Sequence, residues 1–221
     1  MGNAILLRSY AITTVLFLMV FGLLVFRYSP DQRFTLFFLN KACADSAIIF
    51  IGISFLLGPL CKILPFLGKY ISLRRYFGLI GFGAVVVHIV LSLVQFTSRF
   101  PITWYIEHVW GVIAAVIATG IFFVLAITSS KKAFMSLGAK KWKTVQRIGY
   151  LALILALVHI TVAAFSRWQQ FFAGKVDMPN SFAVVVFGSI VIIARIAAYI
   201  VDKQAVQKKE EEILPEVHHG L

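Results

Sequence analysis

Two histidines, His88 and His159, stand inside long apolar segments of the chain. An ionisable side chain in hydrocarbon is costly unless it has a partner, so such residues are functional candidates by default. A small residue precedes each histidine by seven positions, Gly81 before His88 and Ala152 before His159. In a helix this offset puts the small residue on the histidine's own face. Each segment therefore presents a smooth strip that leads to an imidazole.

The chemistry that this pattern predicts is axial ligation of one flat iron porphyrin. The spans that carry His88 and His159 are both odd-numbered and so run in the same direction, and each histidine lies about 18 to 21 Å from the start of its span. Two neutral imidazoles at one depth can bind a b-type haem from both sides, and imidazole suits iron. The alternative is that the small residues only let helices pack closely, with each histidine bonded to a hydroxyl or carbonyl.

Arg99 and Arg167 follow the two histidines by eleven and eight residues. A guanidinium suits planar carboxylates, so either could bind haem propionates, and either could equally be an anchor at the membrane interface. His108, at the start of the fourth span, is interpreted as an interfacial histidine in contact with water. A hydrogen bond to a quinone, a metal-ion site and a contact to the haem edge stay open for it.

The elements that position these residues are transmembrane helices. Hydrophobic residues make up 60% of the 221 residues and charged residues only 14%, against about 25% charged residues in soluble domains. Six apolar stretches are long enough to cross a bilayer: 10–26, 42–64, 76–96, 107–128, 145–165 and 181–201. The first is interpreted as a helix and not as a removed signal peptide. We predict an all-α membrane protein, a bundle of six transmembrane helices.

The net charge of +12 is interpreted as orientation and contact with anionic lipid, not as nucleic-acid binding. Fourteen Lys and Arg residues fall on the side of the two termini and six on the other side. The positive-inside rule then places both termini in the cytoplasm, in a cell inner membrane. We expect residues 1–201 to form the haem-binding membrane domain and 202–221 a charged cytoplasmic tail, with loops at 65–68 and 129–143.

Histidines on the third and fifth of six spans resemble the ferric-reductase-like transmembrane domain family. Three short segments resemble its MsrQ haem-binding membrane subunits: 54–60 (SFLLGPL), 74–79 (RRYFGL) and 128–142, which ends in LGAKKW. The resemblance covers roughly residues 42–166. It implies haem ligation by His88 and His159. Val145 and Gln146 stand where MsrQ-like chains usually have a Leu-His pair. Family oxidases with two haems need a second His pair nearer the cytoplasm, and here Arg74 and Arg75 stand where its third-span member would be. The resemblance therefore implies one haem, in the outer half, as in the STEAP proteins.

The resulting hypothesis is a haem-b subunit that passes electrons from a cytoplasmic donor to an acceptor at the outer face. No nucleotide-binding motif is visible, so the donor would be a separate flavin protein or a membrane quinol. Redox partner proteins are expected on both faces. The loop-four lysines are interpreted either as a docking surface for an acidic donor protein or as positive-inside charge alone. The alternatives are a STEAP-like reductase of ferric or cupric ions and a haem-free structural or assembly subunit of a larger complex.

Overall fold

The computed structural model describes residues 2–29, 34–96 and 98–218, with the side chains of 2–6 and 208–218 left aside. The regular structure of these residues is helical throughout, and no strand occurs among them. The elements are α1 (Gly2–Tyr28), α2 (Leu36–Ile63), a 3₁₀ helix (Pro65–Leu73), α3 (Arg74–Val94), α4 (Ile102–Glu107), α5 (Val109–Thr128), α6 (Lys131–Phe172) and α7 (Asn180–His218).

Six helical segments are long and apolar enough to cross a membrane: α1, α2, α3 together with the preceding 3₁₀ helix, α5, α6 and α7. The predicted six-helix membrane bundle is therefore confirmed. Large apolar side chains face outward along the spans, as lipid-facing positions do; Val116 and Ile193, for example, lie in mid-helix and are largely exposed. We call the end where α1 begins and α7 finishes the terminal end, and the opposite end the distal end.

Helix α2 is the centre of the bundle, because it packs against α1, α3, α6 and α7. Half of its spanning stretch is buried, more than in any of the other spans described. The apolar core joins α2 to α5, α6 and α7 through Ile48, Ile51, Phe55, Ala118, Phe122, Leu125, Ala152, Leu153, Leu157, Val184 and Val191. Beside this core, α3 packs chiefly on α2 and α6 chiefly on α5. The two helices that carry His88 and His159, α3 and α6, therefore pack mainly on different neighbours.

Gly149 of α6 allows the side chains of Phe55 and Leu125 to pack closely against the helix. A Cβ atom there would lie 2.4 Å from Cζ of Phe55 and 2.7 Å from a methyl carbon of Leu125. We expect Gly149→Val to lower the stability of the bundle by about 1–3 kcal/mol, the typical cost of overpacking a core. Thermal unfolding in detergent measures this effect. Gly120→Val is the matched control, since nothing lies within 4 Å of a Cβ at Gly120, and an equal loss in both variants would contradict the assignment.

The two predicted loops at the terminal end are helical in the structure, so the loop prediction was wrong there. Residues 65–68 belong to the 3₁₀ helix, and 131–143 belong to α6. The Ser130 hydroxyl caps α6 by accepting from the backbone N–H of Ala133 at 3.1 Å. The break that the turn residues indicated is confined to Gly138, which has φ 72° and ψ 159° inside the helix. Lysine and alanine are good helix formers, which explains why the basic segment continues as helix on both sides.

Helix α7 continues well beyond the predicted end of its span at residue 201 and runs to His218. The Lys62 ammonium forms an ion pair with the Asp202 carboxylate at the terminal end. Residues 219–221 of the expected tail lie outside the described part of the chain.

Candidate functional site

His88 lies in α3 and is held by a side chain of α2. Its Nδ1 atom lies 2.6 Å from Oδ1 of Asn40. The Asn40 amide nitrogen donates to the Ser92 hydroxyl at 3.0 Å, which fixes the amide with its oxygen toward the imidazole. An oxygen acceptor requires that Nδ1 carry the proton, because a neutral imidazole has one donor and one acceptor nitrogen. The Nε2 atom of His88 therefore keeps its lone pair.

His159 lies in α6 and is held by the backbone of α5. Its Nδ1 atom lies 3.1 Å from the carbonyl oxygen of Gly111, so here too Nδ1 donates and Nε2 keeps its lone pair. Glycine is needed at 111 for this approach, because a Cβ would lie 3.0 Å from the side chain of Val162 and 3.6 Å from the His159 carbonyl oxygen. A larger residue would push α5 away from α6 and move the carbonyl oxygen of residue 111 away from Nδ1 of His159.

The two imidazoles lie at one level of the bundle. Asn40 is in the second turn of α2 and Gly111 in the first turn of α5, and both helices begin at the distal end. The two rings are half-buried. This level is nearer the distal end.

Metal-binding histidines usually donate their second ring nitrogen to a carbonyl, amide or carboxylate, which fixes the ring and raises its basicity. His88 and His159 both have this arrangement. Within the described residues, no group of three or more His, Cys, Asp or Glu side chains could hold a bare metal ion. Two imidazoles alone do suffice for a haem, since the macrocycle brings its own equatorial nitrogens. The donor set therefore fits haem better than a free cation.

The small residues predicted to make room for haem contact other helices in this structure. A Cβ at Gly81 would lie 2.8 Å from Cγ1 of Ile51 and 3.1 Å from the Ala47 carbonyl oxygen, both in α2. Ala152 is fully buried in the core. These two residues thus make the contacts expected if small residues only let neighbouring helices pack closely. Their predicted place beside a haem stays a prediction.

Three cations gather at the distal end. The Arg99 guanidinium lies 4.5 Å from the Phe37 ring centroid, and the Lys41 ammonium lies 5.5 Å from the same ring. Arg167 lies at the same end of the bundle, in the last two turns of α6. The sequence predicted Arg99 and Arg167 but not Lys41, which comes from the first turns of α2. The cluster is attractive to carboxylate or other anionic groups.

A cavity of about 430 Å³ lies at the terminal end between α2, α3, α5 and α6. Its wall combines aromatic rings, among them Phe82, with the polar residues Arg74, Trp142 and Gln146. The Gln146 amide nitrogen donates to the Thr128 hydroxyl at 3.3 Å, which leaves its carbonyl oxygen available to a ligand. Gln146 is a position where the sequence departs from the MsrQ pattern. The cavity has the size and mixed polarity of a site for a flat organic molecule.

His108, left open by the sequence, lies at the junction of α4 and α5. Its ring stacks on Trp104 with centroids 4.5 Å apart and planes at 16°. Its Nδ1 lies 2.8 Å from the Trp104 carbonyl oxygen. These contacts hold His108 against α4.

Residues 43–157, a little over half of the chain, match the protein family described as "Ferric reductase like transmembrane component". The human metalloreductase STEAP2 is 23% identical over 159 residues, which cover 62% of this chain and 32% of the human protein. The mouse metalloreductase STEAP2 is 24% identical over 157 residues, with 59% of this chain and 32% of the mouse protein covered. The chain spans about a third of the length of these curated relatives.

Proposed function

The chain belongs to the ferric reductase like transmembrane component family, and from this premise we propose that it is a haem-b electron-transfer protein. The observation that carries the proposal is the matched pair His88 and His159. Each ring donates Nδ1–H to an acceptor on a neighbouring helix and keeps Nε2 free. Bound between them, haem b would supply a one-electron carrier inside the membrane.

The chain's own residues have separable tasks in this proposal. Asn40 and the Gly111 carbonyl orient the two imidazoles and raise their basicity. Lys41, Arg99 and Arg167 provide positive charge for haem propionates or for an anionic acceptor. Single-haem binding, as in STEAP-like proteins, is supported by the absence of histidine from the wall of the terminal-end cavity. The short segments 74–79 and 128–142 support an MsrQ-like place within the family.

We assign electron input to the terminal-end cavity. A flavin or a quinol would fit its flat aromatic wall, with Arg74 donating and the Gln146 oxygen accepting hydrogen bonds. The excess of Lys and Arg on this side supports a cytoplasmic location for it, in an inner membrane. The lysines of α6 beside the cavity, from Lys131 to Lys143, suit an acidic donor protein. Electrons would leave at the distal end.

A second candidate function is reduction of ferric or cupric ions at the distal end. The similarity to two proteins named metalloreductases favours it. Reduction of chelated Fe³⁺ by the chemically reduced, purified protein would distinguish it from transfer to a partner protein.

The experiment that tests the proposed function is a dithionite-reduced minus oxidised visible spectrum of the purified protein, expressed with haem precursor supplied. We expect a sharp low-spin b-type spectrum and a ratio of one haem per chain. A colourless protein would overturn the proposal and leave the haem-free structural or assembly subunit as the function to pursue.

Filling the terminal-end cavity should slow electron input without removing haem. We expect Ala126→Phe, in the cavity wall, to slow reduction by a reduced quinol or flavin at least about tenfold, because the donor can no longer approach closely. Reduction by dithionite and the oxidised spectrum should be unchanged. Ala163→Phe, at an exposed position of α6, is the matched control. Equal donor rates in the two variants would place the input site elsewhere.

A further inference from the structure

Asp45 is a buried carboxylate in the membrane-spanning part of α2 that neither haem binding nor electron input uses. It is 4% exposed and accepts a hydrogen bond from the Tyr28 hydroxyl at the end of α1. No salt bridge to it occurs among the described residues. A carboxylate buried at this depth without an ion-pair partner is rare in membrane helices and usually serves a function.

Asp45 lies close to the residues that hold His88. It follows Asn40 by five residues in one helix, which is about 7.5 Å of rise. Asn40 in turn contacts His88, and charges interact far more strongly in a protein interior than in water, because the effective dielectric constant is low. An electron that arrives between His88 and His159 therefore makes a proton on Asp45 more favourable.

Few charged or titratable groups surround the Asp45 carboxylate among the described residues. Tyr28 faces it from α1 and Lys41 from its own helix. Arg27 acts on Tyr28, and Arg99 and Arg167 act on Lys41 from farther away. On α3, the Nδ1 atom of His88 is already bonded to Asn40, and on α7 the neutral amide of Asn180 accepts a hydrogen bond from Arg27. Tyr28 and Lys41 are thus the groups that tune the carboxylate.

Two further buried hydroxyls are neighbours of this pair in the sequence. Ser29 and Ser46, each next in sequence to one member of the Tyr28–Asp45 pair, are buried without a hydrogen-bond partner among the described residues. Buried unpaired hydroxyls are typical binding sites for internal water. Tyr28 is near the distal end of α1, so water there has a short way to the carboxylate.

We propose that Asp45, held by Tyr28, binds one proton whenever the centre between His88 and His159 gains one electron. This inference rests on the proposed haem function. The electron comes from the quinol or flavin donor, and the proton comes from water at the distal end and bonds to a carboxylate oxygen of Asp45. The proton compensates the added negative charge, so electron transfer in this protein is coupled to proton uptake. On reoxidation the proton returns to water.

The test is a redox titration of the haem spectrum at a series of pH values. The midpoint potential of the wild type should fall with rising pH, with a slope approaching about 59 mV per pH unit, since a tenfold change in the equilibrium constant of a one-electron couple corresponds to 59 mV. Asp45→Asn should be nearly independent of pH. Asp202→Asn, the same change at the terminal end, should keep the wild-type slope. Equal slopes in wild type and Asp45→Asn would overturn the proposal.

A second variant and a second readout keep the test decisive if Asp45→Asn does not fold. Tyr28→Phe removes the hydrogen bond that stabilises the ionised carboxylate. The pH range over which the midpoint potential falls should therefore move to higher pH, and an unchanged range would overturn the proposal. The reduced-minus-oxidised infrared spectrum of the wild type should gain a protonated carboxyl band, and a spectrum without that band would overturn the proposal. Failure of the haem function itself is seen first and separately, as a protein without a haem spectrum.

Discussion

Replacing either His88 or His159 with alanine is expected to abolish the low-spin haem spectrum of the protein. Each substitution removes the free Nε2 atom on one side of the proposed iron site. Loss of a residue that only orients a metal ligand already costs about 10–100-fold in affinity, and loss of the ligand itself should cost more. Visible spectra of the purified variants, normalised to protein, measure the effect.

The matched control for these two variants is His108→Ala. His108 is half-buried and bonded through Nδ1 like the pair, but it stacks on Trp104 at the α4–α5 junction. It should keep the wild-type spectrum and haem content. A low-spin spectrum that survives in His88→Ala or His159→Ala, or one that disappears only in His108→Ala, would contradict the assignment of the ligands.

Asn40→Leu is expected to lower haem affinity by about 10–100-fold, the usual effect of removing the group that orients a ligating histidine. The Nδ1–H of His88 would lose its acceptor at 2.6 Å, and the ring would be free to turn or change tautomer. Transfer of haem from the variant to an excess of a haem-free globin measures the affinity.

Two companion variants separate orientation of His88 from simple packing. Asn40→Asp keeps an oxygen acceptor and should retain haem. Ser92→Ala removes only the group that accepts from the Asn40 amide and should have a smaller effect than Asn40→Leu. If Asn40→Leu holds haem as tightly as the wild type, Asn40 has no role in positioning the ligand.

Sequence patterns were sufficient for the six spans, because long apolar runs are a local signal. The pair His88 and His159 was predicted from an equally local signal, rare polar residues within those runs, and its role stays a prediction. Asn40 was missed since it lies two residues before the predicted span at 42–64. Helix α2 in fact begins at Leu36, where the Thr35 hydroxyl caps it by accepting from the Phe38 N–H at 3.3 Å. Asp45 was inside the predicted span, but its neighbours Tyr28 and Lys41 become visible only when α1 packs on α2.

Other parts of the site have no side-chain signal at all. The partner of His159 is a backbone carbonyl, and any residue type carries one. Gly81 was predicted to face a haem, yet a glycine that admits a macrocycle and one that admits a neighbouring helix look alike in sequence. Only the packed bundle shows that Ile51 and Ala47 approach Gly81. The terminal-end cavity likewise depends on four helices that are far apart along the chain.

The central claim is that the chain conducts electrons across the membrane through a centre held by His88 and His159. The most direct measurement uses lipid vesicles that contain the purified protein and enclose ferricyanide, which does not cross the bilayer, with a reduced quinol or flavin supplied outside. We predict that the wild type bleaches the enclosed ferricyanide much faster than protein-free vesicles do, and that His159→Ala does not. Wild-type vesicles that are no faster than protein-free ones, despite a bound haem, would contradict the account.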